Sequence, residues 1–200
     1  MKILGLTGQS GAGKTLFAKE LMHKGYPCVN ADKLYHSLLI PPSNALDAIR
    51  REFGNSVFFE SGELNRRALA KEVFSDEKKL DALNAAVLPI VIDEIKKIAK
   101  EHKKNGAKLL VVDAPTLFES GFGSDCDMTV AFIAPAELRI KRIAERDGLT
   151  VEEATLRTNA QKRDEFYTSR ADKIIINDKD ESDLSKKADE ILAELLGEDI

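Results

Sequence analysis

Eight residues near the start of the chain, Gly8-Gln9-Ser10-Gly11-Ala12-Gly13-Lys14-Thr15, combine side-chain types that handle phosphate. They fit the pattern G-x-x-x-x-G-K-[ST], between an apolar run suited to a strand and a stretch of helical periodicity. Glycine lets such a turn close tightly, so successive backbone N–H groups can converge on phosphate oxygens. The positive end of the following helix adds to that field. Lys14 is placed to bridge the outer phosphates, and the Thr15 hydroxyl to hold Mg²⁺. At ordinary glycine usage, a chance match in a chain of this length has a probability on the order of one percent. The flanking strand and helix lower it further. Gly8, Gly11, Ala12, Gly13, Lys14, Thr15 and Leu16 are the expected contacts to a nucleoside triphosphate.

Asp113 ends the apolar run Leu109-Leu110-Val111-Val112. A strand-terminal carboxylate of this kind approaches Mg²⁺ directly or through water; the alternative is that it only begins the turn Asp113-Ala114-Pro115. A GTP-driven switch would place glycine three residues later, where Thr116 stands. It would also carry Asn-Lys-x-Asp after a late strand, and Asn177-Asp178-Lys179-Asp180 has its Lys displaced. ATP is therefore the expected nucleotide. Arg139, Arg142 and Arg146 fall at i, i+3 and i+7 on one helix face. Such a row suits a lid that brings guanidinium groups to phosphates, although Glu145 and Asp147 also fit a solvated face. Asp32 follows a short second strand, at the sheet edge where ligands of open α/β sheets collect. It could take the proton of an acceptor hydroxyl or cap the helix predicted from Lys33; position alone leaves the two even.

The elements that must hold these residues are legible as periodicities. Short apolar runs at 2–6, 28–29, 108–112, 128–134 and 173–176 predict strands. Helical spacing appears at 14–24, 33–39, 45–53, 66–74, on past Pro89 to about 102, then at 138–145 and 184–196. Thr150 with Glu153 three residues on predicts a capping box. Apolar strands alternating with helices imply a parallel sheet covered on both faces. The helical stretch from 33 to 102 interrupts that alternation and predicts an inserted substrate-binding region. The expected fold class is α/β, a three-layer P-loop NTPase fold with a parallel sheet, a helical substrate-binding insertion and a helical lid. The expected division is a nucleotide-binding core at 1–31, 106–135 and 171–200, a helical region at 32–105, and a lid at 136–170.

The totals restrict the partners. The 200 residues fit one core with inserted subdomains. A hydrophobic share of 43% and a charged share of 32% belong to an ordinary globular chain. A net charge of −4 argues against a broad nucleic-acid-binding surface. No apolar run approaches the roughly 18 residues of a membrane span, and the start of the chain has no secretory apolar region. Cys28 and Cys126 form neither a metal-ligand pair nor a disulfide framework. The expected setting is cytoplasmic, with a small-molecule partner and a monomer or weak homo-oligomer.

With these residues in place, the chain resembles the dephospho-coenzyme A kinase family over nearly its whole length. The resemblance is carried by Gly5-Leu6-Thr7-Gly8 with Gly11, Gly13 and Lys14, by Asn30-Ala31-Asp32, and by Leu64-Asn65-Arg66-Arg67-Ala68-Leu69 with Val73-Phe74. It continues in Asn84, Leu88-Pro89, Pro115-Thr116-Leu117-Phe118-Glu119, Arg142, Arg146-Asp147, Ala160-Gln161 and Ala171-Asp172. It implies transfer of the γ-phosphoryl group of MgATP to the ribose 3′-hydroxyl of dephospho-CoA, the last step of coenzyme A synthesis. It also implies that Asp32 is the base and Arg142 the main lid cation, with Arg139 and Arg146 as further phosphate contacts. Arg66, Pro89 and Pro115 would contribute to the acceptor site, and Thr15 with Asp113 to the metal site. The family commonly has Asp at Asn30, His at Leu88, Leu at Thr116 and Gly-Ile-Gly-Ser at 9–12. Two other readings are a kinase of another small metabolite, such as a nucleoside monophosphate or sugar acid, and a non-catalytic nucleotide-binding regulator.

Overall fold

The computed structural model describes residues 1–74, 76–178 and 181–197. Five strands form one sheet: β1 (Lys2–Gly8), β2 (Cys28–Asn30), β3 (Leu109–Asp113), β4 (Met128–Ile133) and β5 (Lys173–Ile176). Their order is β2-β3-β1-β4-β5, with β1 parallel to both β3 and β4 and β4 parallel to β5. Parallel strands need crossover helices that cover both faces of the sheet, which is why β3 and β4 are mostly apolar and buried along their whole length.

The helices are α1 (Lys14–His23), α2 (Ala31–Ser37), α3 (Asn44–Phe53), α4 (Arg66–Phe74), α5 (Glu77–Lys104), α6 (Ala136–Asp147), α7 (Val151–Asn159), α8 (Asp164–Thr168) and α9 (Glu181–Leu196). Phe17 and Leu21 of α1 and Leu184, Ala188 and Leu192 of α9 pack with Leu4, Leu6, Val130 and Phe132 of the sheet in one core. On β1, Gly5 lets Leu117 and Cys126 come close, since a Cβ there would lie 2.8 Å from each.

The chain divides into two compact units, Met1–Val29 with the chain from His102 onward, and Asn30–Glu101. Residues 136–170, the expected lid, belong to the first. The second has its own core, in which Ile49 of α3, Leu69 and Val73 of α4 and Leu83 and Val87 of α5 meet. Pro89 is accommodated inside α5.

Besides shifts of a few residues at element ends, the structure departs from the sequence reading as follows. β3 includes Asp113 as its last residue. The second helix starts at Ala31, ahead of Lys33. Five residues, Asp164–Thr168, form a helix that periodicity did not predict.

Candidate active site

The glycine-rich turn leaves β1 at Gly8 and enters α1 at Lys14, with no side chain capping that helix. Gly11 and Gly13 have φ of 78° and 101°, a region that L side chains rarely enter. Space excludes a side chain as well. A Cβ at Gly11 would lie 2.8 Å from the Arg139 carbonyl oxygen, and one at Gly13 2.1 Å from Asn177 Nδ2. The backbone of the turn is thus pressed against α6 and the exit of β5. Ala12 is fully buried beneath the turn. Lys14 is 9% exposed, and its ammonium donates to the Gly8 carbonyl at 3.0 Å, across the mouth of the turn. Thr15 and Leu16 are exposed in the first turn of α1. The β1–β3 register sets Asp113 beside Leu6, so its buried carboxylate stands at the carboxyl edge of the sheet.

Two side chains of the arginine row of α6 reach this turn. Arg142 Nη1 donates to the carbonyls of Gly11 and Asn177, both at 3.2 Å. Arg146 donates to Ser10 Oγ at 3.3 Å while its Nε and Nη2 grip Asp147. That pairing holds the Asp147 carboxyl below its ordinary value and raises the Arg146 guanidinium. Arg139 differs from the other two. It is 6% exposed, and its Nε is committed to the Ala134 carbonyl at 3.1 Å. Burial pulls its value down, opposed by Asp164 and Tyr167, and a guanidinium stays charged even so. The reason is geometric: Arg139 lies nearest the start of α6, where the helix leaves β4, and its side chain enters the protein.

In the second unit, the cap of α2 is Asn30, whose Oδ1 accepts from Lys33 N–H at 2.9 Å. The alternative in which Asp32 caps the helix is therefore set aside. Asp32 lies within the first turn, exposed, and its carboxylate accepts no hydrogen bond among the described residues. Arg66 approaches His36 Nδ1 at 3.4 Å and lies close enough to Tyr35 to oppose the upward effect of burial on that phenol. Pro89 is exposed on α5. In the first unit, Pro115 presents its carbonyl to the buried Thr7 hydroxyl at 3.1 Å.

A family model described as dephospho-CoA kinase matches residues 2–183. The chain belongs to the dephospho-CoA kinase family. A dephospho-CoA kinase from Lactobacillus johnsonii is 34% identical over 192 residues, spanning 96% of this chain and 97% of that one. Among solved structures, TT1252 from Thermus thermophilus superposes with a TM-score of 0.78 at 35% identity, covering 97% of each chain. A dephospho-CoA kinase from Campylobacter jejuni, 22% identical, shares the fold with a TM-score of 0.60 and covers 98% of each chain. The fold is that of the P-loop kinases, and a member of the dephospho-CoA kinase family is a phosphotransferase.

Two residues around the turn escaped the sequence reading. Gln161, between α7 and α8, accepts from Ser10 N–H at 2.9 Å and from Arg139 Nη1 at 3.4 Å, and its neighbour Lys162 offers a carbonyl to Gln9 Nε2. Asn177 donates from Nδ2 to the Ala12 carbonyl at 3.0 Å. Gln161 had a signal, since it is one of the residues that carry the family resemblance. Asn177 was read only as part of a guanine-type sequence, of which Lys179 and Asp180 lie outside the described residues.

The chemistry of the donors fits a divalent cation. A threonine hydroxyl at the start of α1 and a carboxylate at the end of β3 are hard oxygen ligands, of the kind Mg²⁺ takes one or two at a time together with phosphate oxygens. No helix among the described residues is long and apolar enough to cross a membrane.

Proposed function

We propose that this chain transfers the γ-phosphoryl group of ATP to the ribose 3′-hydroxyl of dephospho-CoA, giving coenzyme A and ADP in the last step of coenzyme A synthesis. The observation that carries the reading is the turn itself. Its glycines at 11 and 13 have no room for a side chain, Lys14 lies across its mouth, Arg142 reaches its backbone at the Gly11 carbonyl, and Arg146 of the same helix reaches its Ser10 hydroxyl. Family membership names the acceptor.

In the proposed mechanism the turn from Gly8 to Thr15 holds the triphosphate by backbone N–H groups, and Lys14 exchanges the Gly8 carbonyl for outer phosphate oxygens. Thr15 and Asp113 would hold Mg²⁺, which neutralises phosphate charge when bound. Asp32 accepts the proton of the acceptor hydroxyl as its oxygen bonds to phosphorus and the bond to the ADP oxygen breaks. Arg142 and Arg146 turn from protein partners to the transferring group, while Arg139 is a positioning residue that braces α6. The helical region 32–105, with Arg66 and Pro89, receives dephospho-CoA; Pro115 follows the metal-site strand and contributes to the acceptor side. The segment 136–170 serves as the lid, and the setting is the cytoplasm, with no need for a nucleic acid or a stable oligomer.

The test is product and turnover together. With ATP and Mg²⁺, dephospho-CoA should gain one phosphomonoester on its ribose 3′ oxygen, visible by ³¹P NMR. Asp32→Asn should lower kcat roughly 10²–10⁴-fold, the usual weight of a positioned base, while ATP affinity is kept. An Asp32→Asn enzyme at the wild-type rate would remove that residue from the chemistry, and an unmodified acceptor would overturn the function.

A further inference from the structure

Asn177 lies just beyond β5 and is 6% exposed. Its backbone N–H donates to the Ile133 carbonyl at 2.8 Å, which fixes it to the end of β4. From there its side chain reaches back to the phosphate-binding turn. Nδ2 donates to the Ala12 carbonyl at 3.0 Å, and the same nitrogen fills the space that a Cβ on Gly13 would need. Its own carbonyl accepts from Arg142, which also holds the Gly11 carbonyl. Two successive carbonyls of the turn, at 11 and 12, are thus drawn to the outside by two different side chains.

The consequence follows from peptide planarity. In a trans peptide the carbonyl and the following N–H point in opposite directions. When the Ala12 carbonyl is tied to Asn177, the Gly13 N–H must face away from Asn177, to the inner side of the turn. We propose that Asn177 is a positioning residue for nucleotide binding: its side-chain amide fixes the Ala12–Gly13 peptide so that the Gly13 N–H is presented to phosphate. Gly13 is needed for the same reason, because any side chain there would displace the amide that orients it. The inference rests on the proposed binding of ATP at this turn and adds a residue that touches neither nucleotide nor acceptor.

Asn177→Asp keeps the shape and replaces the donor by an acceptor that repels the Ala12 carbonyl. Asn177→Ser keeps a small donor too short to reach it. Affinities for MgADP and for magnesium tripolyphosphate, a probe without a base, are measured by titration calorimetry beside melting temperatures. Each variant should weaken the two ligands by one common factor, roughly ten- to a hundredfold for the loss of one buried hydrogen bond, while the protein stays folded at the titration temperature even though Asn177→Asp, which buries a carboxylate, melts lower. The KM of dephospho-CoA should be unchanged. Weaker MgADP with wild-type tripolyphosphate affinity would make Asn177 a base contact and overturn the proposal, as would unchanged affinity for both. Affinity loss that only tracks a lower melting temperature would overturn it as well. If Asn177→Asp does not fold, Asn177→Ser carries the comparison alone. Wild-type protein that binds neither ligand would instead overturn the nucleotide site itself.

Discussion

A side chain that caps a helix has its oxygen committed to a backbone amide, and on α2 that commitment belongs to Asn30. Two residues on, Asp32 is left with an exposed carboxylate in the first turn, available to a hydroxyl proton. Sequence could not divide these roles, because Asn and Asp are equally good caps and both stand within two residues of the helix start. The division also accounts for Asn30 where the family commonly has Asp: either residue supplies the oxygen that Lys33 N–H requires. Asn30→Asp should therefore be close to neutral in stability, while Asn30→Ala should cost about 1 kcal/mol in urea unfolding. Equal stability of the alanine variant would show that the cap contributes nothing.

The strands and most helices of the first unit were legible because their signals are local. Leu109 to Val112 is a continuous apolar run, Met128 to Ile133 is apolar but for Thr129, and both strands are buried throughout; Thr150 with Glu153 forms the capping box that their spacing predicted. α8 was not legible: its five residues bury only Tyr167, and its N-cap, Arg163, offers no side-chain bond to the helix. The contacts that shape the phosphate-binding turn were equally hidden. Gln161 and Asn177 lie 151 and 165 residues from the backbone groups they bind, so nothing near them in sequence marks the partnership. Three arginines at helical spacing could be placed on one face, but spacing did not tell that Arg139 would be buried and the other two would reach the turn. This packing gives a prediction for the element pair. Gly11→Ala should cost about 1–2 kcal/mol from the left-handed backbone alone. It should also raise the KM for ATP, because α6 must retreat from a Cβ that would lie 2.8 Å from the Arg139 oxygen. An alanine variant with wild-type stability and KM would contradict the close approach.

At the scale of the molecule, buried titratable groups link the fold to pH. Burial, reinforced by Glu119 and opposed by Arg139, pushes the Tyr167 phenol up to about 12 from 10.0. Between those values an unfolded chain has released the proton that the folded chain still holds, so stability falls as pH rises from 10 to 12 and levels beyond. Urea midpoints over that range should drop more steeply for wild type than for Tyr167→Phe; parallel curves would mean that the phenol ionises freely in the folded protein. The division into two compact units bears on function in the same way. One unit carries the phosphate-binding turn and the arginines of α6, the other carries Asp32 and Arg66, and the proposed reaction needs both.

The central claim is that phosphoryl transfer here is directed to dephospho-CoA. Initial rates of ADP release from MgATP, measured with dephospho-CoA, a nucleoside monophosphate and a sugar acid at equal concentration, test it most directly. Fast release with dephospho-CoA alone, matched mole for mole by coenzyme A, is the predicted result. Phosphorylation of either other acceptor with none of dephospho-CoA, or ADP release indifferent to all three, would contradict the account.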